Sequence, residues 1–336
     1  MALLYRTGGW HKVFSASDVR TDLALEAHAA ARGTGPQEMP GVTVNEERGP
    51  DVSVTRMEIF TPQAAQLLGK TMGRYVTIEA PALRRRNRQL QEEVAGVLAR
   101  ELAALMNLNP WDEVLVVGLG NWNATPDALG PRVVGGLLVS RHLRAHVPPE
   151  LANRLRGVAA LAPGVLGLTG IETGEIVRGV VDRAAPQAVI VVDALAARSI
   201  DRIATTIQLA DTGINPGSGV GNPRASITRD NLGVPVYAIG VPTVVHAVTI
   251  ANDTLDLVAS QLQAQEPAWQ PLAAMDRERK HSLISQVLSP EVGDLVVTPK
   301  EIDVLIRDIS RAVAGGVNAA LHPAIGREEM AIYTDA

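Results

Sequence analysis

The sequence predicts an α/β fold in which helices are layered around a largely parallel central sheet. Short runs of consecutive apolar β-formers, such as Glu113–Leu119 and Ala188–Val192, are typical of strands that are buried on both faces. Stretches with helical spacing of apolar residues alternate with these runs, which is the pattern of a layered α/β domain. With 336 residues, of which 46% are hydrophobic, the chain is long enough to bury a large core.

The first eighty residues differ from the rest of the chain. Residues 1–20 show no sustained period, which predicts a poorly ordered extension. Thr21–Ala31 predicts a helix, and the Gly- and Pro-rich residues Gly33–Gly49 predict a linker. Alternating β-branched residues at Val52–Phe60 and Tyr75–Glu79 then predict a small β-rich segment ahead of the main sheet.

From Leu83 onwards the pattern alternates between helix and strand. Leu83–Leu108 has apolar residues at three- and four-residue spacing and predicts a long amphipathic helix. Further helices are predicted at Asp127–Leu143, Thr173–Ala184 and His246–Gln263, and further strands at Val158–Leu161, Thr205–Leu209 and Val234–Val241. Gln261–Arg279 predicts a long loop. Thr298–Glu301 has the composition of a capping box and predicts the start of a C-terminal helix.

Composition and charge narrow the function classes. The formal net charge of −5 argues against nucleic-acid binding, because such proteins concentrate Lys and Arg to release counterions. The chain has no cysteine, which excludes disulfides and thiolate chemistry and fits a reducing cytoplasm. No apolar run approaches the roughly 20 residues that span a bilayer, and the amino end lacks the apolar region of a signal peptide. A cytoplasmic protein with no membrane partner is therefore predicted.

Two acidic residues are predicted at the carboxyl ends of strands, where open α/β sheets bind their ligands. Val114–Gly130 runs from apolar β-formers through two glycines into a turn that places Asp127 at the mouth of a helix. Asp193 directly follows the apolar run Ala188–Val192. A helix N-terminus favours the ionised form of Asp127, whereas an apolar strand end favours the neutral form of Asp193. Two such carboxyls can divide base and acid work on a water molecule.

Each of these aspartates also has an ordinary structural interpretation. An Asp in the first turn of a helix commonly satisfies the helix dipole, and an Asp after a strand commonly forms a turn. Position alone therefore leaves the catalytic pair of Asp127 and Asp193 as one of two hypotheses.

Three further residues are candidates for the same crevice. Asp211 and His246 follow other predicted strands, and Ser218 lies in a Gly-rich loop that can cradle an anion or a substrate backbone but lacks a complete dinucleotide fingerprint. Asp211-Thr212-Gly213 matches the triplet of pepsin-like proteases, but those are β folds and the chain has no second copy. Asp127, Asp193 and His246 together form a conceivable zinc set, although no spacing constrains it, and no metal is expected.

Several long segments carry a collinear resemblance to one known family. They run from about Asp18 to the carboxyl end and include DVRTDLALEAHA, VVGLGNWNATPDALGPRVV, VVDALAARSIDRIATTIQLADTGINPGSGVGN and LGVPVYAIGVPTVVHAVTI. Together they resemble the bacterial spore germination proteases. The resemblance implies an endopeptidase whose fold is similar to that of the hydrogenase maturation proteases, with their Gly-x-Gly-Asn turn matched by Gly118–Asn121. It maps the catalytic aspartates onto Asp127 and Asp193 and makes Asn121 a crevice residue.

The resemblance also implies a substrate and an activation step. The family degrades small acid-soluble spore proteins when germination begins, and it is made as a homotetrameric zymogen that removes its own propeptide. Its substrates are cut within an acidic-hydrophobic-Ala-x-Glu sequence, which Asp22-Leu23-Ala24-Leu25-Glu26 resembles. Self-cleavage is therefore predicted between Asp22 and Leu23. No cofactor is expected, and the predicted location is the cytoplasm of the spore interior.

The predicted cleavage divides the chain. Residues 1–22 are a propeptide, and residues 23–336 are a single α/β protease domain. Within this domain, residues 38–82 form the predicted β-rich subdomain and residues 83–336 the core.

One departure from the family's pattern leaves alternatives open. His246 stands in VVHAV, where the family is expected to carry Asp, and this exchange alters the charge of the crevice or recruits a metal. The alternative function is therefore a metal-dependent maturation-type peptidase that uses Asp127, Asp193 and His246, or a metal-binding accessory protein on the same fold.

Overall fold

The fold is organised around one mixed β-sheet. The computed structural model describes residues 21–32, 39–216, 225–263, 275, 277–287 and 295–334. Within these residues nine strands form the sheet, in the order β1-β2-β3-β7-β8-β6-β4-β5, with β9 paired to β8. The strands are β1 (Val42–Arg48), β2 (Ser53–Ile59), β3 (Gly73–Glu79), β4 (Val114–Gly118), β5 (Val158–Leu161), β6 (Ala188–Ala197), β7 (Thr206–Ala210), β8 (Val236–His246) and β9 (Val296–Val297).

The core of the sheet is parallel. Strand β4 lies between β5 and β6, with Val114 aligned to Val158 on one side and to Ala188 on the other, and β6 pairs parallel with β8. Strands β7, β3, β2 and β1 continue the sheet with antiparallel pairing. The predicted α/β class with a largely parallel centre is thus confirmed, and the predicted β-rich segment extends the same sheet.

Helices cover both faces of the parallel strands. Alternate residues of β4 belong to two different apolar clusters, Val114 and Val116 to one and Leu115 and Val117 to the other. The first cluster is completed by the helices Arg88–Met106 and Ile302–Leu321, and the second by the helix Thr173–Ala184. Burial on both faces explains why this strand is a continuous apolar run, since each fully buried Val or Leu contributes roughly 1.5–3 kcal/mol.

Six further helices are described, and Leu129–Gly135 among them adds Leu129 and Val133 to the first cluster. They are Ala24–Arg32, Pro62–Leu68, Leu129–Gly135, Ala247–Gln263, Arg277–Val287 and Arg327–Thr334, and single helical turns lie at Pro81–Arg85, Thr125–Asp127, Pro149–Ala152, Leu166–Thr169, Ile200–Arg202 and Arg229–Leu232. Among the described residues, none of the helices combines the length and the apolar character that a membrane span requires.

Two strand predictions are wrong in extent. Strand β1 lies inside the predicted linker Gly33–Gly49, and its side chains are exposed from Val44 to Arg48, so it has no apolar pattern. Strand β6 extends beyond its predicted end at Val192, through Asp193 to Ala197, because the long neighbouring strand β8 pairs with it as far as Ala197.

Two helix predictions also need correction. The predicted helix Asp127–Leu143 is reduced to Leu129–Gly135, which ends where Gly135 is followed by Gly136. The predicted capping box at Thr298–Glu301 does not form, because the Thr298 hydroxyl donates to the Thr243 carbonyl at 2.8 Å and no side chain caps the helix that begins at Ile302.

Other predictions concern segments at the margins of the described chain. The predicted loop Gln261–Arg279 is entered by helices at both ends, and residues 264–274 between them lie outside the described residues. The extension at residues 1–20 and Ser218 also lie outside them. The division of residues 23–336 at residue 82 stays a prediction.

Candidate active site

A cavity of about 820 Å³ lies beyond the carboxyl end of β4 and beside β6, β7 and β8. Asp127 and Asp193 both line it, and so does Asp22. The position matches the edge of a parallel sheet at which ligands bind. The cavity therefore brings together the two predicted catalytic carboxyls and the acidic residue of the predicted cleavage site.

Asp127 is held by the turn that follows β4. The backbone N–H of Asn121 donates to the Asp127 carboxylate at 2.9 Å and to its carbonyl oxygen at 3.1 Å. Gly120 has a φ of +117°, and a Cβ there would lie 1.9 Å from the Asp127 carbonyl oxygen. Only glycine combines this backbone conformation with this close approach, so Gly120 determines where Asp127 lies.

Burial dominates the protonation of Asp127. It raises the pKa of this carboxyl to about 6, against the opposing effect of the Asn121 N–H. The sequence predicted that a helix mouth would favour the ionised form of Asp127, and this expectation is wrong in direction because desolvation outweighs the favourable dipoles. At neutral pH a carboxyl with this pKa is nevertheless mostly ionised.

Asp193 lies within β6 and is more strongly perturbed. Its side chain is only 7% exposed, and one carboxyl oxygen accepts from the Ala194 N–H at 2.9 Å. Burial, followed by the charges of Asp127 and Asp22, raises the pKa of Asp193 well above its ordinary value. The environments therefore favour a protonated Asp193 beside an ionised Asp127, which are the states that a general acid and a general base require.

The chain's own residues 22 to 24 are bound at this cavity through backbone groups. The Asp22 N–H donates to the Ala196 carbonyl at 3.0 Å, and the Ala196 N–H donates to the Asp22 carboxylate at 2.9 Å. The Asp22 carbonyl oxygen accepts from Lys70 Nζ at 2.9 Å and from Gln208 Nε2 at 3.2 Å. Gln208 Oε1 in turn accepts from the Ala24 N–H at 2.6 Å.

The side chains that follow Asp22 in the same segment are also buried, and the charged one among them has partners of opposite polarity. Leu23 and Ala24 have no exposed surface, and Glu26 is 8% exposed. The Glu26 carboxylate accepts from the N–H groups of Arg198 at 2.8 Å and Ser199 at 3.1 Å, and it pairs with Arg202 Nε at 3.2 Å. Each residue type of the acidic-hydrophobic-Ala-x-Glu sequence therefore has its own partner or its own tightly enclosed space.

Comparison with known proteins decides the family. The model of the germination protease family matches residues 19–267 and 263–334. The chain belongs to the germination protease family. Among its relatives, the germination protease of Caldanaerobacter subterraneus subsp. tengcongensis is 51% identical over 316 residues, covering 93% of this chain and 97% of the relative. That of Bacillus subtilis is 40% identical over 355 residues, covering 94% and 96%.

Membership of the germination protease family establishes that the chain is a protease. A solved NiFe hydrogenase maturation protease from Thermococcus kodakarensis matches 62% of this chain and 92% of its own, at 16% identity and a TM-score of 0.32. At this TM-score, the relation to hydrogenase maturation proteases that the sequence suggested stays a prediction.

The other predicted crevice residues of this germination protease family member are placed differently. Asn121 positions Asp127 through its backbone N–H but is not among the residues that line the cavity. Asp211 lies outside the cavity, where its carboxylate accepts from the Arg74 N–H and pairs with its guanidinium, both at 2.8 Å. His246, the buried last residue of β8, also does not line the cavity.

The alternative metal set gains no support from this geometry. The described part of the chain contains no group of three or more His, Asp or Glu side chains that could hold a metal ion. The set of Asp127, Asp193 and His246 is therefore not assembled, since Asp127 and Asp193 line the cavity and His246, the last residue of β8, does not.

Sequence reasoning missed three residues that bind the segment at the cavity. Lys70 is one of only four lysines among the 31 basic residues, and Gln208 interrupts the apolar strand β7, so each carried a weak signal. Arg202 carried none. All three contact residues far away along the chain, and such pairings cannot be read from local patterns.

Proposed function

We propose that this member of the germination protease family is an aspartate-dependent endopeptidase that initiates the degradation of small acid-soluble spore proteins. We further propose that it is made as a zymogen that cuts itself between Asp22 and Leu23. One observation carries this proposal: Asp22, which begins an acidic-hydrophobic-Ala-x-Glu sequence, lies in the cavity that Asp127 and Asp193 line. The chain's own segment then occupies the place of a substrate.

The two carboxyls supply the chemistry of amide hydrolysis in this proposal. Ionised Asp127 removes a proton from a water molecule, whose oxygen attacks the carbonyl carbon of the acidic residue. Protonated Asp193 gives its proton to the leaving amide nitrogen as the C–N bond breaks. The raised pKa of each carboxyl, caused mainly by burial, supports this division of roles.

The assembly state, the cellular location and the partners of the enzyme are also part of the proposal. We propose a homotetramer that works in the cytoplasm of the spore, as the resemblance to the germination proteases implies. The net charge of −5 favours recognition of the substrate proteins over direct contact with the DNA that they coat. Sedimentation of the purified chain measures the assembly state directly, and a monomer at cellular concentrations would contradict the tetramer.

Cleavage of a purified small acid-soluble spore protein tests the activity. We expect one early cut after the acidic residue of the recognition sequence, followed by loss of activity when either Asp127 or Asp193 is replaced by Asn. Activity should persist after treatment with a metal chelator. A chelator-sensitive enzyme would instead favour the metal-dependent alternative.

The rate of cleavage should depend on pH in a bell-shaped manner. Since the base must be ionised, the rate is expected to fall as the pH drops through about 6, the raised pKa of Asp127. Since the acid must be protonated, the rate should hold at neutral pH and decline in alkali, because burial raises the pKa of Asp193. The pH profile of kcat/KM measures both limbs, which belong to the coupled pair as a whole. A rate of cleavage that continues to rise as the pH drops below about 6 would contradict the assignment of Asp127 as the base.

Arg202 is expected to select the glutamate of the recognition sequence. Its pairing with Glu26 is mostly buried, and a hydrogen bond to a charged group contributes about 1.5–3 kcal/mol. For the Arg202→Met variant, we expect the ratio of kcat/KM between a peptide with Glu at that position and one with Gln to fall by about 10-fold or more. The N–H groups of Arg198 and Ser199 remain, so some selection should persist.

Arg178→Met is the matched control, because the Arg178 side chain is 66% exposed and pairs only at 3.9 Å with Asp182. It should keep the full preference for Glu over Gln. An unchanged preference in the Arg202 variant would show that this side chain does not read the glutamate.

A further inference from the structure

One carbonyl oxygen in the cavity is bound by two side-chain donors from different elements. The Asp22 carbonyl oxygen accepts from Lys70 Nζ, just after the helix Pro62–Leu68, and from Gln208 Nε2 on β7. This carbonyl belongs to the peptide bond between Asp22 and Leu23. Lys70, Gln208 and Asp22 line the same cavity as the two aspartates.

We propose that Lys70 and Gln208 form the oxyanion site of this protease. They bind the carbonyl oxygen of the residue on the acidic side of the scissile bond and stabilise the negative charge that forms on it during hydrolysis. The inference rests on the proposed function, since it takes the bond between Asp22 and Leu23 as the one that is cut.

The charge that the site must stabilise follows from the reaction. When water attacks the Asp22 carbonyl carbon, a C–O bond forms and the electron pair of the C=O π bond moves to the carbonyl oxygen. The proton of the water passes to Asp127. When the tetrahedral intermediate collapses, the pair returns to restore C=O, the bond to the Leu23 nitrogen breaks, and Asp193 protonates that nitrogen. Donors that are already fixed around the oxygen stabilise the intermediate without reorganisation.

The hydrogen-bond partners of Lys70 fix its role as a donor. Both oxygens within reach of its Nζ, the Thr21 carbonyl at 3.0 Å and the Asp22 carbonyl at 2.9 Å, can only accept. The charges of Asp22 and Glu26 favour the ammonium form, although burial lowers the pKa of Lys70 overall. A cation at a developing oxyanion gains more in such a poorly hydrated place than it would in water.

The hydrogen bond that Gln208 Oε1 accepts orients the Nε2 donor of the same side chain. Its Oε1 accepts from the Ala24 N–H at 2.6 Å, which turns its Nε2 towards the Asp22 carbonyl oxygen. The amide therefore spans the predicted scissile bond and contacts the backbone on both sides. Gln208 is 8% exposed, so water competes little for these bonds.

Self-cleavage of the full chain tests the oxyanion site, because the segment is already bound and the first-order rate reports the chemical step. We expect Lys70→Met and Gln208→Glu each to lower the rate of loss of residues 1–22 by about 10²–10³-fold. Gln208→Glu keeps an acceptor for the Ala24 N–H and removes the donor. Lys70→Gln, which keeps a donor without the charge, should give an intermediate rate. Lys300→Met, at an exposed lysine, is the control and should cut at the rate of the unaltered chain.

Hydrogen exchange at the Ala24 amide separates catalysis from positioning. If Lys70 and Gln208 stabilise the oxyanion, this amide stays protected in Lys70→Met while the rate falls. A lower rate accompanied by loss of protection would overturn the proposal in favour of a purely positioning role. Rates close to that of the unaltered chain in both variants would overturn it as well.

The same experiment distinguishes this inference from the proposed function. If the unaltered chain keeps residues 1–22 and also leaves a peptide with the recognition sequence intact, the proposed function fails and the oxyanion site fails with it. If the unaltered chain cuts and the variants cut equally well, only the oxyanion site fails.

Discussion

Replacing Asp193 with Asn is expected to lower the rate of peptide cleavage by about 10²–10⁴-fold. The amide has nearly the shape of the protonated carboxyl but cannot deliver a proton to the leaving nitrogen. Cleavage of a peptide with the recognition sequence, followed by chromatography, measures the loss. Asp182→Asn is the control, because the Asp182 side chain is 66% exposed. Near-normal turnover in Asp193→Asn would remove this residue from the mechanism.

The same variant should unfold at a higher temperature. Burial raises the pKa of Asp193 in the folded chain above the ordinary value of 3.8, so the folded state holds a proton that the unfolded state releases. The free energy of unfolding therefore decreases as the pH rises from the ordinary pKa of Asp193 towards its raised pKa in the folded chain. Above the folded pKa, the stability penalty of ionising this buried carboxyl is complete. Asn removes the penalty, so the increase in Tm should be larger at about pH 7 than at about pH 4. An equal increase at both values would contradict the raised pKa.

Replacing Gly120 with Ala is expected to abolish most of the activity without touching a catalytic group. A Cβ at this position would lie 1.9 Å from the Asp127 carbonyl oxygen, and the φ of +117° disfavours any side chain. The turn must move, and Asp127 moves with it. We expect Gly120→Ala to lose about as much cleavage activity as Asp127→Asn does. We also expect its free energy of unfolding to decrease by about 1–3 kcal/mol.

Gly135→Ala is the matched control for this substitution. Gly135 ends the neighbouring helix Leu129–Gly135, and a Cβ there would meet nothing within 4 Å. It should retain full activity and gain up to about 1 kcal/mol of stability, because alanine favours the helix. Full activity in Gly120→Ala would show that the turn does not position Asp127.

The sequence predicted the parallel core well because the burial of a strand is visible directly in its residue types. Strands β4 and β6 are buried on both faces, and such strands become apolar runs. Strand β1 escaped prediction because it is an exposed edge strand between glycines and prolines. The end of β6 was misplaced because Asp193 looks like a terminator, yet its burial and pairing with Gly240 hold it inside the strand.

The position of Asp127 and Asp193 in the sequence predicts the proposed catalytic pair, but it does not predict the residues around that pair. Asp127 and Asp193 each follow an apolar run, and this local pattern is sufficient to propose them. The bonds of Lys70 and Gln208 to Asp22 join residues 48 and 186 positions apart. Such contacts depend on the folding of the whole chain, so the hydrogen bonds that hold Asp22–Glu26 at the cavity cannot be predicted from the sequence.

Mass spectrometry of the purified full chain, incubated at mildly acidic and neutral pH, tests the central claim most directly. The claim is that Asp127 and Asp193 hydrolyse the bond between Asp22 and Leu23 in their own chain. The expected result is loss of residues 1–22 from the unaltered chain and an intact mass for the Asp127→Asn and Asp193→Asn variants. Cleavage at another bond, or cleavage between Asp22 and Leu23 in both variants, would contradict it.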